Sequence, residues 1–474
     1  MPRAELTACV APIEAGPVDS TRRRIRGWGG GQGTSALVVA PRSGENVRAA
    51  LAVCRCAADS DEACSGVIAR GWGRSYGDAA QLAGGTVLDM TRCSDFRLDE
   101  EQGTVTAQAG AAIVDLLHAL VPAGWILPVV PGTQYVTVGG AIASDVHGKN
   151  HASAGTFGAH VQALGLLSAA GEVFELERDD RLFWATVGGM GLTGVILWAR
   201  IALRPVSSGL MGVDTDRVEG IDEALAALAA PGGSYRVAWL DLLGMRRGRG
   251  IVTRAEHILG DSASAQDSAS QGATVCPRAT VPSRWPTGML RTSTVRAFNE
   301  LRFRRAPRRE RGRRQSFGAH MFPLDTLCNW PRLYGRAGLI QYQFVVPRGR
   351  EQVLRTMIER LRHRRVPCFL AVLKDLGVAN DAPLSFPLAG WTLALDFPRA
   401  AFGLGALLDG FDELVAQAGG RVYLTKDARL RPDAASAMYP RLGEWRTMRD
   451  RADPERLWRS DLALRTGLIP AVQR

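Results

Sequence analysis

The chain has 474 residues, a formal net charge of +11, 46% hydrophobic and 22% charged residues. That length allows two or three domains, each able to bury its own core, and the composition is that of a globular protein rather than a disordered one. No run approaches the ~20 apolar residues of a membrane-spanning helix, and the N-terminus, with Glu5 and Glu14, has no continuous apolar stretch of the kind a secretory signal needs, so a cytoplasmic protein is expected.

Residues 1–20 read as a loose tail. Pro41–Cys54 reads as a turn and then a helix, with Val47, Ala50, Leu51 and Cys54 at helical spacing. Gly66–Ala69 is a short strand that runs into Gly71–Asp78 (GWGRSYGD). Thr86–Met90 and Val105–Ala109 read as strands, and Val114–Leu120 as a helix. Ala163–Ser168 and Glu172–Leu176 form a hairpin about Ala170 and Gly171; Leu182–Thr186 is helical and Val195–Leu203 a strand. Short strands and helices mix without a regular βαβ repeat, which points to an α+β fold and not a doubly wound one. The character changes after Arg204 and Pro205. Strands are expected at Arg236–Leu240, Leu339–Val346, Phe369–Leu373 and Trp391–Phe397, and helices at 351–363 and 402–418, giving a sheet with helices on one face. Residues 260–275 are low-complexity. Arg291–Arg314 carries ten arginines against two glutamates. It reads as a solvated loop, with an anionic lipid surface or a phosphate-bearing substrate as the functional alternatives; it lacks the interleaved aromatics and motif spacing of a nucleic-acid binder. From Arg421 the text is helical and expected to close back on the first domain.

The eight cysteines include no CxxC pair. Cys54, Cys56 and Cys64 form the one cluster, read as reduced structural thiols rather than a zinc site; no metal is expected. Of 58 basic residues only Lys149, Lys374 and Lys426 are lysine. Arginine stays protonated, whereas the lysine pKa moves on burial. A chain that spends arginine on its surface is therefore read as keeping lysine where chemistry needs it.

Gly189–Gly194 matches GxGxxG, but a helix precedes it and a strand follows, the reverse of a dinucleotide-binding turn. No phosphate-binding P-loop, serine nucleophile elbow or HExxH is present. Three other segments form a set: Ile68–Asp78 (IARGWGRSYGD), Pro131–Ala143 (PGTQYVTVGGAIA) and Gly188–Ile196 (GGMGLTGVI). In each, glycines let backbone amides approach a ligand while few charged side chains are offered, as a pyrophosphate held by N–H groups requires.

This set resembles the FAD-binding domain of the vanillyl-alcohol-oxidase, p-cresol-methylhydroxylase-type (PCMH-type) flavoproteins. Within that superfamily it most resembles the flavoprotein (oxidase) subunits of decaprenylphosphoryl-β-D-ribose 2′-epimerases. ARGWGRSYGDAAQ, LPVVPGTQYVTVGGAIASDVHGKNHASAGTFG, LFWATVGGMGLTGVI, GLIQYQFVVP, APLSFPLAGW, LTKDAR, AMYPRLGEW and SDLALR carry the likeness over roughly residues 22–470. It implies a two-subdomain FAD-binding domain over residues 20–205, a substrate domain with an antiparallel sheet and helices over 206–420 with a mobile insert at 260–315, and a segment, 421–474, returning to the FAD domain. It also implies oxidation of the ribose 2′-hydroxyl of a polyprenyl-phosphoryl sugar to a ketone, which a separate NAD(P)H-dependent reductase carries on to arabinose for cell-wall arabinan. An oxygen-using aldonolactone or alditol oxidase, or a paralogue acting on another glycosyl phosphate or nucleoside-type sugar, is the alternative. Such a substrate suits peripheral contact with a membrane and leaves the periplasmic side open; no nucleic-acid partner is expected.

The resemblance also implies residue roles. Gly71, Gly73, Arg74, Ser75, Tyr76 and Gly77 would wrap the pyrophosphate and ribityl chain; Gly132, Thr133, Thr137, Gly139, Gly140 and Ala143 would line the cofactor; Gly191 and Ile196 would complete the adenine side. His147 and Lys149 would sit by the isoalloxazine and the substrate. Gln341, Gln343, Lys374 and Lys426 would form the polar wall of the sugar pocket, and Trp239 and Leu370 its apolar packing. Flavin-dependent alcohol oxidation needs a base within hydrogen-bond reach. Lys426 is favoured, His147 competes, and Tyr76 would orient or relay. Gly71–Asp78 contains no His or Cys, so FAD is expected to be non-covalent. The chain departs from the family in GWTLALDFP (Gly390–Pro398): Thr392 replaces an asparagine and Ala394 the pocket cysteine. Met321 replaces an aromatic.

Overall fold

A computed structural model describes residues 19–58, 65–244, 248–258, 272–285 and 290–470. The N-terminal part builds two sheets. One has four strands in the order Asp19–Ile25, Thr34–Ala40, Thr86–Asp89, Val67–Arg70, the first pair antiparallel and the others parallel. The helix Gly44–Ala58 presses Val47, Ala50, Leu51 and Cys54 against Val39, Val67 and Leu88. Its apolar spacing is why it forms where expected. Cys64 lies outside the described residues, and no trio of metal-ligating side chains occurs among them.

The second sheet has five antiparallel strands, Phe96–Asp99, Thr104–Gln108, Val195–Ala202, Val161–Leu167 and Val173–Glu177 in that order. Val105, Ala107, Leu164, Leu166, Ala199 and Ile201 meet the apolar side of the helix Ile113–Leu120 in a common core.

The larger sheet has eight strands in the order Arg309–Ser316, Leu210–Val218, Arg249–His257, Tyr235–Asp241, Leu370–Leu376, Gly390–Pro398, Leu339–Pro347, Arg421–Val422, all antiparallel. Side chains alternate between its faces. Tyr342, Phe344, Val346, Leu393, Leu395, Phe397, Ala371 and Leu373 pack under the helices Ile221–Ala229, Glu351–Arg364 and Leu404–Gln417. The other face, which these helices leave bare, carries Gln341, Gln343, Thr392, Ala394, Asp396, Leu370, Val372 and Lys374.

The arginine run departs from the expected solvated loop. Its described part is the helix Thr292–Arg305 followed by the strand Arg309–Ser316 at the edge of the eight-stranded sheet. Val295, Asn299 and Phe303 form a narrow buried stripe at four-residue spacing, too sparse among arginines to register as periodicity. Charge satisfaction holds the rest: Arg311 reaches Asp216 at 2.6 Å, and Arg249 binds Asp241 and Glu300 at 2.7 and 2.6 Å. Arginines on an exposed edge strand also discourage pairing with another chain. Residues 259–271 lie outside the described residues.

After Val422 the chain returns to the N-terminal sheets. Trp458 bridges Val67, Arg465 grips Asp78 at 2.7 and 2.9 Å, and Trp445 Nε1 donates to the Ala185 carbonyl at 2.9 Å. Among the described residues, no helix is long and apolar enough to cross a membrane.

Candidate active site

A cavity of about 850 Å³ lies between the glycine-rich segments and the bare face of the large sheet, at the upper end of the ~300–1,000 Å³ typical of ligand sites. Its near wall is rich in glycine and small residues: Gly71, Gly73, Arg74, Ser75 and Tyr76, then Gly132, Thr133, Thr137, Gly139, Gly140 and Ala143, then Gly191 and Ile196. Thr137 caps the short helix Val138–Ala143, its hydroxyl accepting the Gly140 N–H at 3.2 Å. Gly139 is there because a Cβ would stand 2.9 Å from the Ala109 Cβ; a side chain would wedge the helix off the strand behind it. Asp325, unsuspected from sequence, ties down the preceding turn by accepting the Thr133 hydroxyl at 2.9 Å and the Gln134 N–H at 2.7 Å. At the rim Arg74 lies 3.8 Å over the Trp28 ring and 5.3 Å from Tyr135.

The far wall is polar and buried. Gln343 Nε2 is 2.9 Å from His147 Nε2 and 3.1 Å from Thr392 Oγ1. Gln341 Nε2 donates to Asp396 Oδ1 at 2.6 Å. The Lys426 ammonium stands 4.1 Å from the Tyr76 ring centroid, and Lys149 donates to the His320 carbonyl. Trp239 and Leu370 supply the apolar packing, with Arg302 lying 5.0 Å over Trp239. All three lysines of the chain converge here. Burial pushes the Lys149 amine down to about 7, aided by Arg302, and Lys374 down to about 7, aided by Lys426 and Lys149. Burial takes Lys426 down to about 8, with Asp396 opposing. Burial, then Lys374, His151 and Lys426, holds His147 well below the ordinary imidazole range, so that it stays neutral.

Two expected site residues sit elsewhere. Gly77 does not line the cavity; a Cβ there would lie 2.0 Å from the Asp427 carbonyl, so its smallness serves the docking of the C-terminal segment. Thr392 is fully buried behind Gln343 and does not face the cavity. Strand alternation put it on the right face but could not show that Gln343 lies over it. Gly77→Ala is accordingly expected to cost roughly 1–3 kcal/mol or more and to pull Lys426 away from Tyr76. A guanidinium midpoint and the bound-flavin content check this; wild-type values for both would refute it. Besides Asp325, sequence reading missed Arg302, hidden in the arginine run, and Asp396, whose place in the Thr392–Ala394–Asp396 alternation was the available signal.

The residues fit FAD. Three glycine segments form a backbone cradle for a flat dinucleotide. Opposite them stand buried amines, and His147 Nδ1, on the cavity wall, has no hydrogen-bond partner among the described residues. Residues 35–177 match the FAD binding domain family, and with this fold and cavity the protein is an FAD-dependent oxidoreductase of the PCMH type. Over 95% of its length the chain is 38% identical to decaprenylphosphoryl-β-D-ribose oxidase of Mycolicibacterium smegmatis, covering 98% of that protein. Over 74% of its length it is 39% identical to an uncharacterised protein of Streptomyces coelicolor, 99% of which is covered. Cytokinin dehydrogenase 2 of Arabidopsis thaliana is 31% identical over 29% of the chain and 28% of its own length. The chain belongs to the decaprenylphosphoryl-β-D-ribose oxidase family.

Proposed function

We propose that the protein oxidises the C2 hydroxyl of the ribose in a polyprenyl-phosphoryl ribose to the keto sugar, the first half of an epimerisation to arabinose. FAD, when bound non-covalently in the glycine cradle, supplies the hydride acceptor. Lys426 takes the hydroxyl proton on its amine, which near neutral pH is partly free of its own proton. Tyr76, under the Lys426 ammonium, orients that group. Gln341, Gln343, Lys149 and Lys374 hold the sugar and its phosphate, while Trp239 and Leu370 pack its apolar faces. His147, neutral and engaged with Gln343, positions rather than abstracts. The observation that carries this is the buried Lys426 in a polar wall directly opposite the cradle. A separate NAD(P)H-dependent reductase would return a hydride to the keto sugar.

A lipid-borne substrate favours peripheral placement at a membrane. Phe298 and Leu301, 59% and 48% exposed on the arginine-rich helix by the cavity, suit that contact. The aldonolactone or alditol oxidase alternative finds no support in a whole-chain likeness to a ribose oxidase. Anaerobic mixing with a panel of sugars tests the assignment. The flavin should bleach with a lipid-phosphoryl ribose and not with free alditols or aldonolactones. Bleaching by the free sugars, with rapid peroxide formation in air, would overturn it.

A further inference from the structure

We propose that Arg302, on the far wall at the mouth of the cavity, is a specificity-determining residue that binds the phosphodiester joining the sugar to its lipid, with Lys149 as the second donor; this rests on the polyprenyl-phosphoryl ribose reading above. Among the described residues, the cavity is lined by Arg70, Arg74, Lys149, Arg302, Lys374 and Lys426 against the carboxylate of Asp325 alone. Asp325 is already engaged by Thr133 and Gln134. A site so short of internal counter-charge suits anionic ligands. Arg70 and Arg74 belong to the glycine cradle, and Arg70 is spent on the Ala80 and Arg26 carbonyls at 2.9 and 2.8 Å. Arg302 stands on the opposite wall, 5.0 Å over the Trp239 ring.

The helix Thr292–Arg305 is fastened by the neighbours of Arg302 and not by Arg302 itself. Asn299 donates to Asp241 at 2.9 Å, Glu300 accepts from Arg249 at 2.6 Å and from Arg304 at 2.5 Å, and Phe303 is buried beneath Arg217 and Arg249. Among the described residues, no hydrogen bond or ion pair engages the Arg302 guanidinium. Its contact with Trp239 is made through the ring face and uses none of its N–H donors. A fork suited to two phosphate oxygens is therefore left over. Lys149 is held against the same strand as Trp239: its carbonyl accepts the Arg236 N–H at 2.8 Å, and its amine gives a donor to the His320 carbonyl. The order of the walls matches the order of the substrate. Gln341 and Gln343, both buried, face the sugar; Arg302 is exposed at the rim; and Phe298, one helical turn before Arg302, continues the lining outward as an apolar surface for the first prenyl unit.

Anaerobic flavin bleaching by two soluble substrates, farnesylphosphoryl ribose and the farnesyl riboside that lacks the phosphoryl group, tests this with no bilayer present. In the wild type the phosphoryl substrate should have the lower KM. Arg302→Gln should raise that KM roughly 10–100-fold with little change in kcat, bringing it close to that of the riboside, and Arg302→Lys should recover part of the loss. Arg304→Gln removes an arginine that does not line the cavity and should keep the wild-type preference; the same loss there would reduce the effect to overall charge and overturn the proposal. Three results with Arg302→Gln would also overturn it. An unchanged KM would leave Arg302 to bilayer headgroups or to no ligand, an equal loss with both substrates would assign it to the fold, and loss of bound flavin would assign it to the FAD pyrophosphate. Binding of farnesyl phosphate to the holoenzyme, followed by tryptophan fluorescence, separates this proposal from the ribose assignment. If the wild type bleaches with neither ribose substrate yet binds farnesyl phosphate more tightly than Arg302→Gln by a similar factor, the ribose assignment fails and the phosphate site stands. Equal binding by the two proteins would remove the phosphate site.

Discussion

Lys426→Met should bind flavin normally and reduce it with the sugar substrate on the order of 10²–10⁴-fold more slowly. Methionine fills the same space over the Tyr76 ring, and the turn that presents residue 426 depends on backbone bonds the substitution leaves alone, from its N–H to the Tyr423 carbonyl at 2.9 Å and from the Asp427 N–H to Tyr423 and Leu424 at 3.1 Å. What is lost is the amine. Burial brings Lys426 down to about 8, so the wild-type rate should climb as pH rises through about 8 and level off when the amine is free. In the variant that limb should vanish. If His147 were the base, the limb would persist and move to higher pH, because removing the Lys426 charge relieves the repulsion that helps keep His147 neutral. Stopped-flow bleaching under anaerobic conditions distinguishes the two, and a wild-type rate would remove Lys426 from the chemistry.

Arg449→Leu should destabilise the protein by about 3–5 kcal/mol and weaken flavin retention. Arg449 and Asp453 are both fully buried, their Nη2 and Oδ2 atoms 2.8 Å apart. The same guanidinium donates to the Trp458 carbonyl at 2.9 Å and the Leu192 carbonyl at 3.3 Å, while Asp453 accepts the Leu457 and Trp458 N–H groups at 2.8 Å. Leucine leaves a buried carboxylate without its counter-charge and two carbonyls short of a donor. Leu192 follows Gly191, so the loss reaches the cradle directly. Arg441, half-exposed and paired with Glu444 at 2.8 Å, is the contrast: Arg441→Ala should cost no more than about 1 kcal/mol. Guanidinium unfolding of both variants checks the difference; equal midpoints would show that the Arg449 network carries no special weight.

Gln341 and Gln343 were legible through the family resemblance carried by GLIQYQFVVP, and both line the cavity. The three lysines were legible because arginine had replaced every other one. Gly139 and Gly71 were legible because runs of glycine have few uses beyond close backbone approach. The helix Thr292–Arg305 was not, because three buried side chains among arginines carry almost no periodic signal; its order comes from Asp241, Glu300 and Phe303, which are far apart or easily overlooked in the chain.

The sequence by itself determined the α+β class, the glycine cradle, the amines and amides of the pocket and the family, since each is written in local spacing or in motifs along one stretch. Only the tertiary structure decided which small or polar residue touches the cavity. Gly77 yields to the Asp427 backbone, Thr392 lies behind Gln343, and Asp396 is buried against the Gln341 amide. Those outcomes depend on segments up to hundreds of residues apart meeting at van der Waals distance, and short-range spacing holds no record of such meetings.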